Sequence, residues 1–341
     1  MMLSKLLYSL LPCLRMEEKY ALDNGSKLLE DLIASCDGKS NPIRHYSADE
    51  LVRATNNFHP SCRIDDDPWS CSYKGFLDNR LVMIKRIEFS IPYEVWRDMA
   101  IRDIIISTQM STHKNVLKLL GCCLEFPVPA LVHEYAAKGV LNPTGGYGDY
   151  ESLPWKTRLC IAKQLANAIT YLHTAFPRPI IHRHLRPTCI LLDDDYVPKI
   201  SDFSLAITIP PEQSHVEDVV LGTFAYFDPE YLSSGRITEK TDVYGFGVIL
   251  LVFLSGREVY QRNLKLVSYV RLHASDDQFL TIVDPKILEE IKGEDEQAQQ
   301  QQLHDFLALA LLCTQDESER RPDMIDVAKQ LVRIEKSINP C

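Results

Sequence analysis

The run Asp242-Val243-Tyr244-Gly245-Phe246-Gly247-Val248-Ile249-Leu250-Leu251 is apolar on nearly every side. A helix with that pattern has no face to offer to water and has to be buried. It predicts a helical body built around one central helix. Residues 155–176 supply a neighbour, because Leu159, Ala162, Leu165, Ala166, Ile169 and Leu172 fall on one helical face. With 45% hydrophobic residues in 341, the chain has ample apolar material for such a core.

The formal net charge is −10, which argues against a general nucleic-acid binder. The ten cysteines show no metal-site spacing, and Cys122-Cys123 are adjacent. They are expected to be reduced thiols of a cytosolic protein.

Residues 1–57 are expected to form an N-terminal extension with short helices. Leu3, Leu6, Leu7, Leu10, Leu11 and Leu14 make a helical stripe too short to span a bilayer. The stripe either lies on a membrane or partner, giving peripheral contact at the plasma membrane, or packs on the chain's own domain. Residues 27–33 carry a second short helical pattern. Gly38-Lys39-Ser40 imitates a phosphate-loop ending, but the upstream glycine is missing: Ile33 stands there. Ser47 and Glu50 have the spacing of a capping box, so a helix is predicted from Ser47.

From Phe58 the pattern turns to strands. Cys71–Phe76 and Leu81–Arg86 flank Leu77-Asp78-Asn79-Arg80, a hairpin-like turn. A helix follows over about 92–110, then two strands at 116–125 and 130–135. Thr144-Gly145-Gly146-Tyr147-Gly148 lacks the flanking elements of a phosphate loop and is expected to be a flexible surface loop.

The stretch Ile180-Ile181-His182-Arg183-His184-Leu185-Arg186-Pro187-Thr188-Cys189-Ile190-Leu191-Leu192-Asp193 resembles the catalytic loop of protein kinases, H-R-D-L-x-x-x-N. Several ordered motifs extend the resemblance over 58–338. Leu81–Arg86 looks like the strand that carries the phosphate-contacting lysine, here Lys85. Asp202-Phe203-Ser204 matches D-F-G. Asp228-Pro229-Glu230 matches the end of the activation segment, and Arg321 falls where the family pairs an arginine with that glutamate. The resemblance implies an α+β, bilobal fold: a β-rich small lobe over 58–135 and a helical large lobe over 136–338. It assigns Arg183, Glu230 and Arg321 to structural roles.

The chemical positions depart from the family. His184 replaces the aspartate that accepts the substrate proton, and Cys189 replaces the magnesium-binding asparagine. Ser204 replaces a glycine. The nucleotide loop glycines fall at Asp65, Asp67 and Ser70, where carboxylates repel a triphosphate. The glutamate that pairs with Lys85 aligns with either Asp103 or Ile104. No catalytic residue and no cofactor is therefore expected, with ATP and Mg2+ bound weakly or not at all through Lys85 and Asp202. Glu217 and Asp218 stand where similar kinases carry phosphorylatable residues. They are candidates to pair with Arg183 without a phosphate, and to meet a partner.

The helix ending in Ala54-Thr55-Asn56-Asn57-Phe58 resembles the lead-in of plant receptor-like kinases. The extension, with Asp23-Asn24-Gly25-Ser26 and Gly38-Lys39-Ser40-Asn41-Pro42-Ile43-Arg44, is similar to that of the ZRK group, pseudokinases related to the HOPZ-ETI-deficient kinase. This implies a cytoplasmic, inactive adaptor in plant innate immunity. Its implied partners are a coiled-coil NLR receptor and effector-modified receptor-like cytoplasmic kinases. The competing readings are a weakly active Ser/Thr kinase and a pseudokinase that binds ATP as a structural ligand.

Overall fold

The structure is a computed structural model. It describes residues 2–36, 43–65, 70–87, 93–149, 151–261, 264–274, 278–293 and 295–338, without the side chains of 2–15, 35–36 and 93. The Leu3–Leu14 side chains, the Gly38-Lys39-Ser40 turn and Asp67 lie outside the described residues. The chain divides into two compact units at Ala136/Ala137. One is rich in strands and the other in helices, as expected for an α+β chain. No helix among the described residues is long and apolar enough to cross a membrane.

In the first unit, α1 (Met2–Cys36) precedes β1 (Arg44–His45) and α2 (Ala48–Ala54). Then come β2 (Cys71–Leu77), β3 (Arg80–Arg86), α3 (Tyr93–Gln109), β4 (Leu119–Cys123) and β5 (Ala130–Glu134). The sheet order is β1-β4-β5-β3-β2. The β2–β3 turn puts Asp78 and Asn79 at φ 51° and 58°, the left-handed pair that fits the twist of a two-residue hairpin. Ile101, Ile104 and Ile105 of α3 pack with Leu119, Cys122 and Leu131 of the sheet.

The described residues of 1–57 belong to this unit. The two separate helical patterns expected there are one helix, α1, which continues through Asp23–Ser26. The Asn24 side chain holds that stretch, donating to the carbonyls of Leu124 at 2.8 Å and Phe126 at 2.9 Å. Leu28 joins the α3 cluster. β1 runs parallel to β4, with Arg44 opposite Gly121. A side chain on Gly121 would meet the Arg44 carbonyl at 2.1 Å, so glycine permits the pairing. The Ser47–Glu50 capping box starts α2 and seats Leu51 against Val82, Ile84 and Val132. Burying that leucine is worth about 1.5–3 kcal/mol.

The second unit begins with β6 (Gly139–Val140), α4 (Trp155–Thr174), β7 (Ile180–Ile181), β8 (Ile190–Leu192) and β9 (Pro198–Ile200). It continues with β10 (Ile207–Thr208), β11 (Val216–Glu217), α5 (Pro229–Ser234), β12 (Arg236–Ile237) and α6 (Glu239–Ser255). Five helices follow: α7 (Leu266–His273), α8 (Phe279–Ile282), α9 (Pro285–Glu290), α10 (Glu296–Cys313) and α11 (Met324–Lys336). α6 is buried from Thr241 to Ser255, as its pattern requires. Thr238 caps its start, and Gly256 ends it at φ 61°. It packs on α4, α7 and α10.

The Thr144–Gly148 segment is not the flexible surface loop expected. Asn142 pins it by accepting the N–H groups of Thr144 at 3.1 Å and Gly146 at 2.8 Å, and Gly145 and Gly146 are buried.

Candidate functional site

The loop between β7 and β8 is set by α6. Asp242, 1% exposed, accepts the N–H of His182 on Oδ2 and that of Arg183 on Oδ1, each at 2.8 Å. His173 of α4 meets the same carboxylate at 2.9 Å. This clamp holds Arg183 at φ 67°, a conformation that costs a non-glycine residue about 1–3 kcal/mol. His182 sits within hydrogen-bond distance of the Ser201 carbonyl at 3.0 Å and receives the His184 N–H on Nδ1 at 3.3 Å. Burial holds its pKa below the ordinary value for histidine.

The Arg183 side chain carries the frame outward. Its Nε donates to the Tyr231 hydroxyl at 2.8 Å, its Nη1 to Asp218 Oδ2 at 2.8 Å, and its Nη2 to the Val219 carbonyl. Tyr231 also receives the Leu221 N–H at 2.8 Å. The activation segment is thereby tied down at 218–221. Glu217 lies beside Asp218 but projects away, exposed on β11 opposite Arg236 of β12. The two acidic candidates thus have different situations: Asp218, though partly open to solvent, is bound by the buried Arg183 guanidinium, and Glu217 is exposed, with His215 at 3.9 Å.

Where the family carries its chemistry, His184, Cys189, Asp202 and Ser204 come together. His184 Nε2 lies 3.0 Å from Thr223 Oγ1, and the Cys189 thiol donates to the His184 carbonyl at 3.3 Å. Ser204 Oγ donates to Asp202 Oδ1 at 2.7 Å. Asp202 itself has φ 66°. Family magnesium requires near-octahedral oxygen donors. The Cys189 thiol, at the place of the magnesium-binding asparagine, does not fit it, and His184 puts an imidazole where the family has its proton-accepting carboxylate.

In the first unit, Lys85 Nζ donates to Asp103 Oδ2 at 2.9 Å, with both side chains nearly buried. Asp103, not Ile104, is the lysine's partner; Ile104 belongs to the core behind α3. A carboxylate one methylene shorter than glutamate still reaches. Asp65 accepts the Ser72 N–H at 3.1 Å, and Ser70 lies in the coil leading into β2.

Arg321 does not pair with Glu230. Its Nη2 donates to Asp228 Oδ1 at 2.6 Å, and its other donors reach the carbonyls of Gln315 and Lys240. Glu230 instead accepts the Ser318 N–H at 3.4 Å, and the Ser318 hydroxyl lowers its pKa. Asp228 caps α5 from a fully enclosed position, so the buried guanidinium meets it first. Asp242, Tyr231 and Thr223 were not singled out from the sequence as site residues. The one signal for Asp242 was a charge in an otherwise apolar helix, which demands a buried partner.

Residues 69–333 match the protein kinase domain family. The chain is 43% identical to the non-functional pseudokinase ZRK2 of Arabidopsis thaliana, over 94% of this chain and 90% of that protein. It is 42% identical to the serine/threonine-protein kinase ZRK1, over 94% and 93%. It is 43% identical to the non-functional pseudokinase ZED1, over 94% and 97%, both again from Arabidopsis thaliana. With the clamped loop, the lysine–aspartate pair and these likenesses together, the chain is a member of the protein kinase family, in the group that contains ZRK1, ZRK2 and ZED1.

Proposed function

We propose that this chain is a catalytically inactive kinase homologue that works by binding other proteins. It would act in the cytoplasm, in plant innate immunity, as an adaptor between a coiled-coil NLR receptor and effector-modified receptor-like cytoplasmic kinases. One observation carries the loss of catalysis. The frame around Arg183 and Asp242 is complete, while His184 and Cys189 occupy the two places that phosphoryl transfer needs as a carboxylate and a hard metal ligand. Two similar relatives bear the name non-functional pseudokinase. The adaptor role and its partners rest on the resemblance to the ZRK group.

The activation segment is the proposed kinase-facing surface. Glu217, Val219 and Phe224 are exposed there, the last two at 66% and 57%. Co-precipitation of the full chain with the two partner classes tests the reading. Glu217→Lys with Val219→Asp should reduce recruitment of the cytoplasmic kinase and leave receptor binding intact. A wild-type chain that binds neither class would overturn the adaptor reading.

A second reading is a weakly active or ATP-binding Ser/Thr kinase. The intact Lys85–Asp103 pair favours it, as does the name of ZRK1. Incubation with Mg-ATP or Mn-ATP separates the two. Inactivity predicts no labelling above a Lys85→Met/Asp103→Leu double variant, and millimolar Mg-ATP should barely shift the melting temperature. Labelling that disappears in that variant would favour the second reading.

A further inference from the structure

His184, Cys189 and Asp202 present an imidazole nitrogen, a thiol sulfur and a carboxylate oxygen within 4.8 Å of one another. His184 Nδ1 and Cys189 Sγ each lie 3.8 Å from Asp202 Oδ2. Cys189 is 1% and His184 8% exposed. His184 Nδ1 is buried and has no hydrogen-bond partner among the described residues. Its other ring nitrogen is engaged with Thr223. The tautomer that donates Nε2–H to that hydroxyl leaves Nδ1 with a lone pair beside Asp202. In that tautomer Nδ1 is a buried acceptor with nothing to accept from, which calls for a ligand.

We propose that His184, Cys189 and Asp202 bind a borderline-soft divalent cation, namely zinc. Zinc bonds of about 2.0–2.3 Å set donor atoms roughly 3.3–3.7 Å apart in a tetrahedral shell. The two 3.8 Å separations contract by a few tenths of an ångström to reach it, and the imidazole–thiol separation, within 4.8 Å, closes by up to about 1.3 Å through side-chain rotation. Imidazole and thiolate favour zinc, whereas magnesium wants oxygen. On binding, Cys189 gives up its thiol proton to solvent, and with it the contacts to the His184 carbonyl and Asp202 Oδ2, and the sulfur–metal bond forms. The supporting shell is built: Thr223 orients the imidazole, and Ser204 holds the second carboxylate oxygen of Asp202. The serine that replaces the family's glycine has a role here. The Asp202 side chain is 20% exposed, which leaves the fourth position to water. The site stands apart from partner binding, so its failure leaves the adaptor reading untouched.

The full chain, stripped with chelator, is titrated with Zn2+ alone and with Co2+ as a spectroscopic probe. The expected result is one metal per chain, and for cobalt a near-ultraviolet thiolate charge-transfer band. Cys189→Ser should abolish the band, while Cys62→Ser should keep it. Thr223→Val should weaken zinc binding about 10–100-fold. Millimolar Mg2+ should not displace the zinc. No band, a band that persists in Cys189→Ser, or displacement by equimolar Mg2+ would overturn the proposal. If Cys189→Ser does not fold, the X-ray absorption spectrum of the zinc-loaded wild type decides. One sulfur with nitrogen and oxygen ligands is expected, and a shell without sulfur refutes the site.

Discussion

The Arg183 guanidinium and the Asp218 carboxylate meet at 2.8 Å, the arginine side chain fully buried and the aspartate 38% exposed. A hydrogen bond to a charged group is worth about 1.5–3 kcal/mol. Solvent at the aspartate screens part of this, so Asp218→Ala should cost about 1 kcal/mol. Hydrogen exchange at residues 218–221 should quicken in the same variant. Glu217→Ala, at an exposed position, should stay within about 0.5 kcal/mol of the wild type. Equal effects of the two in urea unfolding would contradict this division of roles.

Lys85 and Asp103 make a buried pair in which neither charge has water to fall back on. Lys85→Met removes the cation from a buried carboxylate that also accepts from the Ser107 hydroxyl at 3.1 Å, and should destabilise the chain by about 3 kcal/mol. Lys85→Met/Asp103→Leu should regain most of that loss, because replacing both members leaves no orphan charge. Urea midpoints of the single and double variants check it. A customary lysine-to-methionine control would therefore confuse lost folding with lost activity.

Asp242 receives two backbone N–H groups and a histidine from a position with almost no solvent. Asp242→Ala orphans all three and should cost about 3–5 kcal/mol. Asp242→Asn keeps one accepting oxygen and should cost less. The thermal midpoints should follow the order wild type, asparagine, alanine.

Burial pushes the thiols of Cys122, Cys123 and Cys313 up to about 12 from an ordinary value of 9.0. The folded state keeps protons that the unfolded chain releases. Any stability tied to these thiols is therefore fully present below pH 9.0 and is lost as pH rises through about 12. Thiol labelling of the native chain should remain slow at all three cysteines between pH 7 and 9, and become fast in denaturant. Mass-spectrometric mapping of labelled peptides reads this out; rapid native labelling at Cys313 would contradict it.

Local pattern carried much of the fold. The apolar run after Asp242 could only be an enclosed helix, and the Ser47–Glu50 spacing marked a helix start that the cap geometry shares. What the pattern missed depends on contacts between distant residues. The Leu3–Leu14 stripe and the 27–33 pattern read as separate short helices until Asn24, between them, finds two carbonyls about a hundred positions away. Asp103 and Ile104 differ by one step along α3, which only the direction of each side chain separates. Arg321 took Asp228 over Glu230 because Asp228 is more deeply buried and α5 turns it inward. The closeness of His184, Cys189 and Asp202 could not be seen from cysteine spacing, since the three donors come from two separate loops.

The two-residue strand β1 has a consequence for how the protein can be handled. It occupies the outer side of β4 and leaves fewer unpaired backbone groups along that margin. A chain cut at residue 69, where the kinase family match begins, loses α1, β1 and α2 together. The margin of β4 is then open to pairing with another molecule, and the surfaces that Leu51 and Leu28 covered become wet. Such a truncation invites aggregation, and soluble expression calls for the N-terminal segment to be retained.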